Sequence, residues 1–312
     1  MVTDYKEHVD LELINFRAAE NIEELVRDSE ERYLRQIRET VSAFCAAIDR
    51  NKLILLAGPS SSGKTTTSYI LQKELNDRGV KTVPISLDDF YKPREAAPVL
   101  PDGTQNLELP ELVDTDYLEE CLSELQKRGS FSFPIFDFVK GRRSDKVREL
   151  AFDEHTAIII EGLHALNPLI TEKGLFQNAL KLYISIKSEY YLKNRRVLST
   201  REMRLVRRLI RDYNFRGCSP ADTLSMWKNV VDGEDQFIRP YRTGADFWID
   251  SLHLYEPLAY HREFLKLIEE IEKQNPYYSL AQRLRGAMDC FPPMDLGLIP
   301  KDSMLREFII LP

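Results

Sequence analysis

Gly58-Pro59-Ser60-Ser61-Ser62-Gly63-Lys64-Thr65 decides the fold of this chain. The octapeptide fits G-x-x-x-x-G-K-[ST], the loop that cradles nucleotide phosphates. Its glycines let the backbone turn so that several N–H groups converge on one anion. Lys64 brings a mobile positive charge to the β and γ phosphates, and the Thr65 hydroxyl is a ligand for Mg²⁺. Upstream, Leu53-Ile54-Leu55-Leu56-Ala57 is an apolar run that reads as a buried strand. Downstream, Thr66 to Asn76 reads as a helix with Tyr69, Ile70, Leu71 and Leu75 as its apolar positions. Strand, loop and helix in that order put the loop amides at a helix N-terminus, where an anion is favoured. Gly58, Ser60, Ser61, Ser62, Gly63, Lys64, Thr65 and Thr66 are therefore the expected contacts to ATP.

Four further apolar runs extend the pattern: Thr82 to Leu87, Thr156 to Glu161, Lys181 to Ile186 and Ala245 to Ile249. A helix over 115–128, stopped at Gly129, lies between the first two. Residues 92 to 110 carry Pro93, Pro98, Pro101 and Pro110 and read as loop. Strands alternating with helices predict an α/β protein with a parallel sheet flanked by helices. Ligands of such sheets sit beyond the carboxyl ends of the strands. Residues 19 to 50 carry apolar positions at helical spacing and predict one or two amphipathic helices ahead of the first core strand.

Acidic residues stand where that geometry wants them. Asp88 and Asp89 follow one strand, and Glu161 ends another. A phosphoryl transferase needs carboxylates there to hold Mg²⁺ and to receive the proton of an acceptor hydroxyl. The segment Lys187 to Gly217 is strongly basic. Its Arg204, Arg207, Arg208 and Arg211 share one helical face, and their mutual repulsion calls for an anion, as in a lid over a triphosphate. The five histidines show no metal spacing and read as structural.

Composition limits the alternatives. The 312-residue chain has a formal net charge of -7, which argues against general nucleic-acid binding. No run approaches the roughly 18 apolar residues of a membrane span. The first residues lack a signal-peptide pattern, and Cys45, Cys121, Cys218 and Cys290 form no C-x-x-C pair, so a reducing cytoplasm is expected.

Seven motifs in order resemble the uridine kinase and phosphoribulokinase family of P-loop kinases, most closely uridine-cytidine kinase. They are the loop 58–65, Ser86 to Tyr91, Asn106 to Pro110, Pro134 to Phe138, Ile160 to Gly162, Arg207 to Asp212 with Arg216-Gly217, and Ala245-Asp246. The resemblance implies a P-loop NTPase fold with a helical lid, and transfer of the ATP γ-phosphate to a primary hydroxyl, the 5′-OH in nucleoside kinases. It implies Asp88 as the base, with Lys64 beside it in catalysis. Mg²⁺ is then surrounded by Thr65, Asp88 and Glu161, and Arg208, Arg211 and Arg216 belong to the lid over the phosphates. Tyr91, Glu108, Phe136 and Arg208 face the acceptor, with Glu108 in the place of an aspartate that holds ribose hydroxyls. Two positions depart from the pyrimidine-reading pattern: Phe136 replaces a tyrosine and Gly141 a histidine. The acceptor is thus a nucleoside of the uridine or cytidine type, or another sugar-like alcohol. A nucleotide-binding switch without metabolite kinase activity, and an inactive scaffold, are the readings from other classes; the chain lacks the N-K-x-D of GTPase switches, since Asn51-Lys52 is followed by Leu53-Ile54.

The expected organisation is a helical extension over 1–50, a kinase domain over 51–275 with its lid at about 187–217, and a tail over 276–312 packed on the core. The expected partners are ATP and a small-molecule acceptor, with no nucleic acid and no membrane. The resemblance is compatible with a homo-oligomer.

Overall fold

The computed structural model describes residues 6–48, 52–100, 103 and 105–312. Asn51, Pro101 and both ends of the expected extension at 1–50 lie outside them. The chain opens with a strand β1 (Glu7–Asp10) and one long helix α1 (Leu11–Ala46). Strand β2 (Leu53–Ala57) leads through the glycine loop into α2 (Lys64–Asn76) and β3 (Thr82–Ser86). Helix α3 (Thr115–Arg128) precedes a hairpin of β4 (Ser130–Asp137) and β5 (Arg142–Ala151). Next come β6 (Ala157–Gly162), a single-turn helix α4 (Pro168–Thr171) and β7 (Leu180–Ser185). A smaller hairpin, β8 (Ser188–Leu192) and β9 (Arg195–Leu198), runs into α5 (Thr200–Arg216) and α6 (Pro220–Phe237). Strand β10 (Phe247–Asp250) and helices α7 (Glu256–Glu269) and α8 (Tyr278–Met288) follow, ahead of the tail.

The five predicted core strands form one parallel sheet in the order β10-β7-β2-β6-β3. Its central strands carry Leu, Ile and Ala in unbroken runs because helices cover both faces. Side chains of β2 alternate accordingly: Ile54 and Leu56 join the cluster under α1, α2 and α7, while Leu55 and Ala57 join the one under α3. The result is the α/β P-loop NTPase architecture that the loop predicts. No helix among the described residues is long and apolar enough to cross a membrane.

Several boundaries differ from expectation for local reasons. Strand β3 stops at Ser86, whose Oγ accepts from Asp88 N at 3.3 Å and turns the chain into a short 3-10 helix, Leu87–Phe90. Glu161 lies inside β6 rather than at its end, because pairing continues to Gly162 opposite Ala57. Helix α2 begins at Lys64, with Gly63 as its cap at φ +90°. The expected Ala245–Ile249 strand is Phe247–Asp250, preceded by the 3-10 turn Arg239–Gly244. Helix α1 starts earlier than its apolar pattern suggests, because Asp10 accepts from Glu12 N at 2.9 Å; it bends at Asn21, where φ is -159° and ψ 85°. Neither β1, which pairs with β8, nor the β4–β5 hairpin was foreseen as strand.

Helix α5 draws the layers together. Arg207, fully buried, places Nε at 2.7 Å and Nη2 at 2.5 Å from the carboxylate of Glu256. Its Nη1 also donates to Ser61 O of the glycine loop at 3.2 Å, and Nη2 to Ser251 O at 2.8 Å. His253 N donates to the same Glu256 carboxylate at 2.8 Å. On its far side the His253 ring lies 3.3 Å from Glu30 of α1. Burial opposes charge on that ring, but Glu30 and Glu256 outweigh it and raise its pKa to about 9.

Two outcomes follow for stability. Removing one partner of a buried pair leaves the other charge uncompensated, so Glu256→Ala should cost about 3–5 kcal/mol in urea unfolding. Charged His253 contributes stability that is complete below its ordinary value of 6.5 and is lost as pH rises through about 9. The unfolding midpoint should therefore fall more between pH 6 and pH 10, which lie outside the window from 6.5 to about 9, in the wild type than in His253→Gln.

Candidate active site

The glycine loop takes its shape from steric limits. A Cβ on Gly58 would stand 2.2 Å from Ile184 O of β7, so only glycine lets the loop leave the sheet there. Ser60, Ser61 and Ser62 follow, and the Lys64 Nζ donates back to Pro59 O at 3.1 Å. Burial holds Lys64 below its usual pKa, against the pull of Glu161, Asp88 and Glu307.

Beside the lysine lies an oxygen cluster suited to a hard cation. Ser86 Oγ donates to Glu161 Oε1 at 2.7 Å, and Thr65 Oγ1 stands 3.5 Å from the same oxygen. Glu161 is buried, and burial together with Asp88 raises its pKa to about 7. A carboxyl held that high next to another carboxylate is a site short of positive charge. Hydroxyl and carboxylate oxygens are the donors Mg²⁺ prefers, with phosphate oxygens filling the rest of its octahedron, so the residues fit that ion. Asp89 faces elsewhere: its Oδ1 accepts from Phe136 N at 3.0 Å, and Arg148 lies 3.8 Å away, so it anchors the hairpin.

The arginines of α5 divide into two groups. Arg204 and Arg207 point inward: Arg204 pairs with Glu234 at 2.7 Å and donates to Ser60 O at 2.9 Å, while Arg207 pairs with Glu256. The repulsion that seemed to require an external anion is offset at these two positions by buried carboxylates. The other three gather on Asp212, with Arg208 at 3.2 Å, Arg211 at 2.7 Å and Arg216 at 3.7 Å. Three guanidinium groups on one carboxylate leave surplus positive charge. Arg208 also donates from Nη1 to Ser60 Oγ at 2.7 Å, so this cluster abuts the loop. Burial pulls Arg208 down to about 10, and burial and Arg211 both lower Arg216.

Aromatic side chains gather where the β4–β5 hairpin meets the segment after Asp88. Tyr91 and Phe136 stand 6.4 Å apart, Phe136 and Phe138 5.3 Å, and the Arg216 guanidinium lies 5.4 Å over Phe138. Glu108 has its pKa raised to about 7 by burial, opposed by Arg208 and reinforced by Asp88. Gly141 closes the β4–β5 turn at φ +65°, its N donating to Asp137 O at 2.8 Å, and a Cβ there would stand 3.0 Å from Arg94 Cβ, so a side chain at this position would crowd Arg94. The structure thus sets Lys64, Thr65, Asp88, Glu161 and the Asp212-bound arginines around one space, and Tyr91, Glu108 and Phe136 around the adjoining one.

Three residues at the site escaped sequence reasoning. Ser86 opens the Ser86–Tyr91 motif, and its hydroxyl orients Glu161. His164 lies against the backbone of Phe237 and Glu108, and burial drives its pKa down to about 4. Glu307 reaches the loop from the tail: its Oε2 accepts from Thr66 N at 3.0 Å, in the first turn of α2. Met304 lies against Gly63, with Sδ 2.7 Å from where a Cβ would stand. No periodicity or motif connects residue 307 to residue 66.

Comparisons with known proteins identify the family. The model of the phosphoribulokinase / uridine kinase family matches residues 53–255. A uridine kinase of Staphylococcus haemolyticus is 28% identical over 198 residues, covering 63% of this chain and 86% of that protein. A uridine kinase of Geobacillus sp. is 26% identical over 198 residues, covering 63% and 84%. Glu307 lies outside the matched stretch.

The Glu307 carboxylate holds an amide that a phosphoryl oxygen would otherwise take, and it adds negative charge there. Glu307→Gln should therefore bind ADP several-fold more tightly, on the order of 1 kcal/mol by calorimetry. Unchanged affinity would mean that the carboxylate moves aside without cost.

Proposed function

The chain belongs to the phosphoribulokinase / uridine kinase family, and from that premise we propose an ATP- and Mg²⁺-dependent kinase whose acceptor is the 5′-OH of a uridine- or cytidine-like nucleoside. It is a P-loop phosphotransferase acting on a small-molecule hydroxyl; the donor, the metal and the acceptor are the parts proposed. One observation carries the reading: Arg208 bonds the phosphate loop through Ser60 and also sits in the field of Glu108, joining a phosphate space to an acceptor cleft.

In this reading Lys64 and the amides of Ser60 to Thr66 hold the triphosphate. Thr65, Asp88 and Glu161 would hold Mg²⁺, whose chemistry there is neutralisation of charge on the phosphate oxygens. Asp88 receives the proton of the acceptor hydroxyl as its oxygen bonds to the γ-phosphorus and the bridging oxygen leaves with ADP. Arg208, Arg211 and Arg216 stabilise the equatorial oxygens of the moving phosphoryl group. Glu108 is the expected partner of the sugar hydroxyls, and the rings of Tyr91 and Phe136 the expected wall for the base.

A second acceptor class, another sugar-like alcohol, is favoured by one observation. The Phe136 ring and the Gly141 turn offer no hydrogen-bonding side chain to a base edge, and such groups are what discriminate strongly between bases. We also propose a reducing cytoplasm as the compartment, since all four cysteines are free.

The test is acceptor-dependent ADP release with Mg-ATP and a panel of nucleosides, sugar phosphates and polyols. Stimulation by uridine or cytidine supports the nucleoside reading; stimulation by a polyol alone transfers it to the second class. Asp88→Asn should lower turnover by about 10²- to 10⁴-fold with ADP affinity nearly intact, and normal turnover in that variant would remove Asp88 as the base.

A further inference from the structure

A second basic space is lined by no residue of the glycine loop 58–65. It is a cavity of about 280 Å³ at the carboxyl end of β7, between the start of α5 and the turn before β10. Seven lysine and arginine side chains line it against one carboxylate, Glu234. That is a concentrated positive field in a chain whose formal net charge is -7. Flanking acids meet part of the charge: Glu189 pairs with Lys6 at 2.7 Å and Arg196 at 3.4 Å, and Asp235 pairs with Arg201 and, at 3.5 Å, with Arg239.

Three features make this a built site rather than a solvated patch. Arg204 lines it with a side chain only 3% exposed, and its Nη2 lacks a hydrogen-bond partner although Nε and Nη1 are committed. A buried guanidinium with an unused donor is costly unless an acceptor completes it. Lys187 and Arg242 lie 5.0 Å and 5.6 Å over the ring of Trp248, a placement that keeps two cations at the wall of the cavity. The volume is near the lower end of small-ligand pockets, which suits a compact ligand.

We infer that this cavity binds a small phosphorylated anion, of about the size of a sugar phosphate, and is distinct from the phosphate loop. Guanidinium and ammonium donors converging from β7, α5 and the turn before β10 recognise phosphoryl oxygens at several angles, as a bidentate and tridentate clamp would. Occupancy reaches the loop through one residue. Arg204 donates to Ser60 O on one side and lines the cavity on the other, so an anion drawing on Arg204 acts on the backbone that Arg208 also grips through Ser60 Oγ. The inference concerns binding and stands whether or not the acceptor proposed above is correct.

The test uses the chain's own fluorophores and inorganic pyrophosphate as probe. The sequence holds two tryptophans; Trp248 is in the cavity wall, and Trp227 lies 5.6 Å from the Arg204 guanidinium. Pyrophosphate should change their emission saturably in the full chain and equally in Lys64→Ala, where the phosphate loop is disabled. Calorimetric affinity in the Lys64→Ala background should fall at least about tenfold when Lys187→Ala and Arg201→Ala are added. Trp248→Phe should remove most of the signal and keep the binding. Loss of binding in Lys64→Ala alone, or undiminished affinity after the two added substitutions, overturns the inference. If that combination melts early, Arg196→Ala, at a side chain 52% exposed, replaces it: weakening of about threefold supports the site, and unchanged affinity overturns it.

Discussion

Arg207 and Glu256 are the constraint on which the arrangement around the loop depends. Both are fully buried, so each charge is tolerable only because the other is present. The guanidinium has five donors in a rigid fork, and here it spends them on Glu256, Ser61 O and Ser251. One side chain therefore fixes the phosphate loop, helix α5 and the turn after β10 relative to one another. A loop held this way can present its amides to a phosphate without reorganising, which is where preorganised electrostatic stabilisation comes from.

Helix α5 shows how one basic face serves two purposes. Its polypeptide ends are set by a capping box, Ser199 with Glu202, and by Gly217 in the left-handed region. Between them, a rotation of one residue separates Arg207, sunk against Glu256, from Arg208, which turns to Ser60 and Asp212. Asp212 then collects Arg211 and Arg216 as well, so a single carboxylate spaces three guanidinium groups that would otherwise repel. The segments before and after the sheet brace the same region from the other side. Tyr33 of α1 shares a 2.6 Å hydrogen bond with Thr67 Oγ1, and Glu307 takes the neighbouring amide of Thr66.

Much of this was legible in the chain. The five strands, the helix after the loop and the helix stopped by Gly129 appeared because apolar runs and glycine caps are local signals. The β4–β5 hairpin was not legible, since its second strand, Arg142–Ala151, is mostly charged and gains its pairing from Ser130–Asp137. Strand β1 was equally hidden, as four residues that become strand only by lying beside Ser188–Tyr191.

By itself the sequence determined the parallel sheet and the phosphate loop, and it marked Lys64, Thr65, Asp88 and Glu161 as candidates, because apolar runs and short motifs are local signals. Only the tertiary structure decided which arginines of α5 face inward and which face the cleft, that Ser86 orients Glu161, and that Glu307 meets Thr66. Those contacts join residues up to 241 positions apart. Their partners are chosen by burial and by the need to neutralise or hydrogen-bond a charge once water is removed, and no local pattern in the chain encodes that choice.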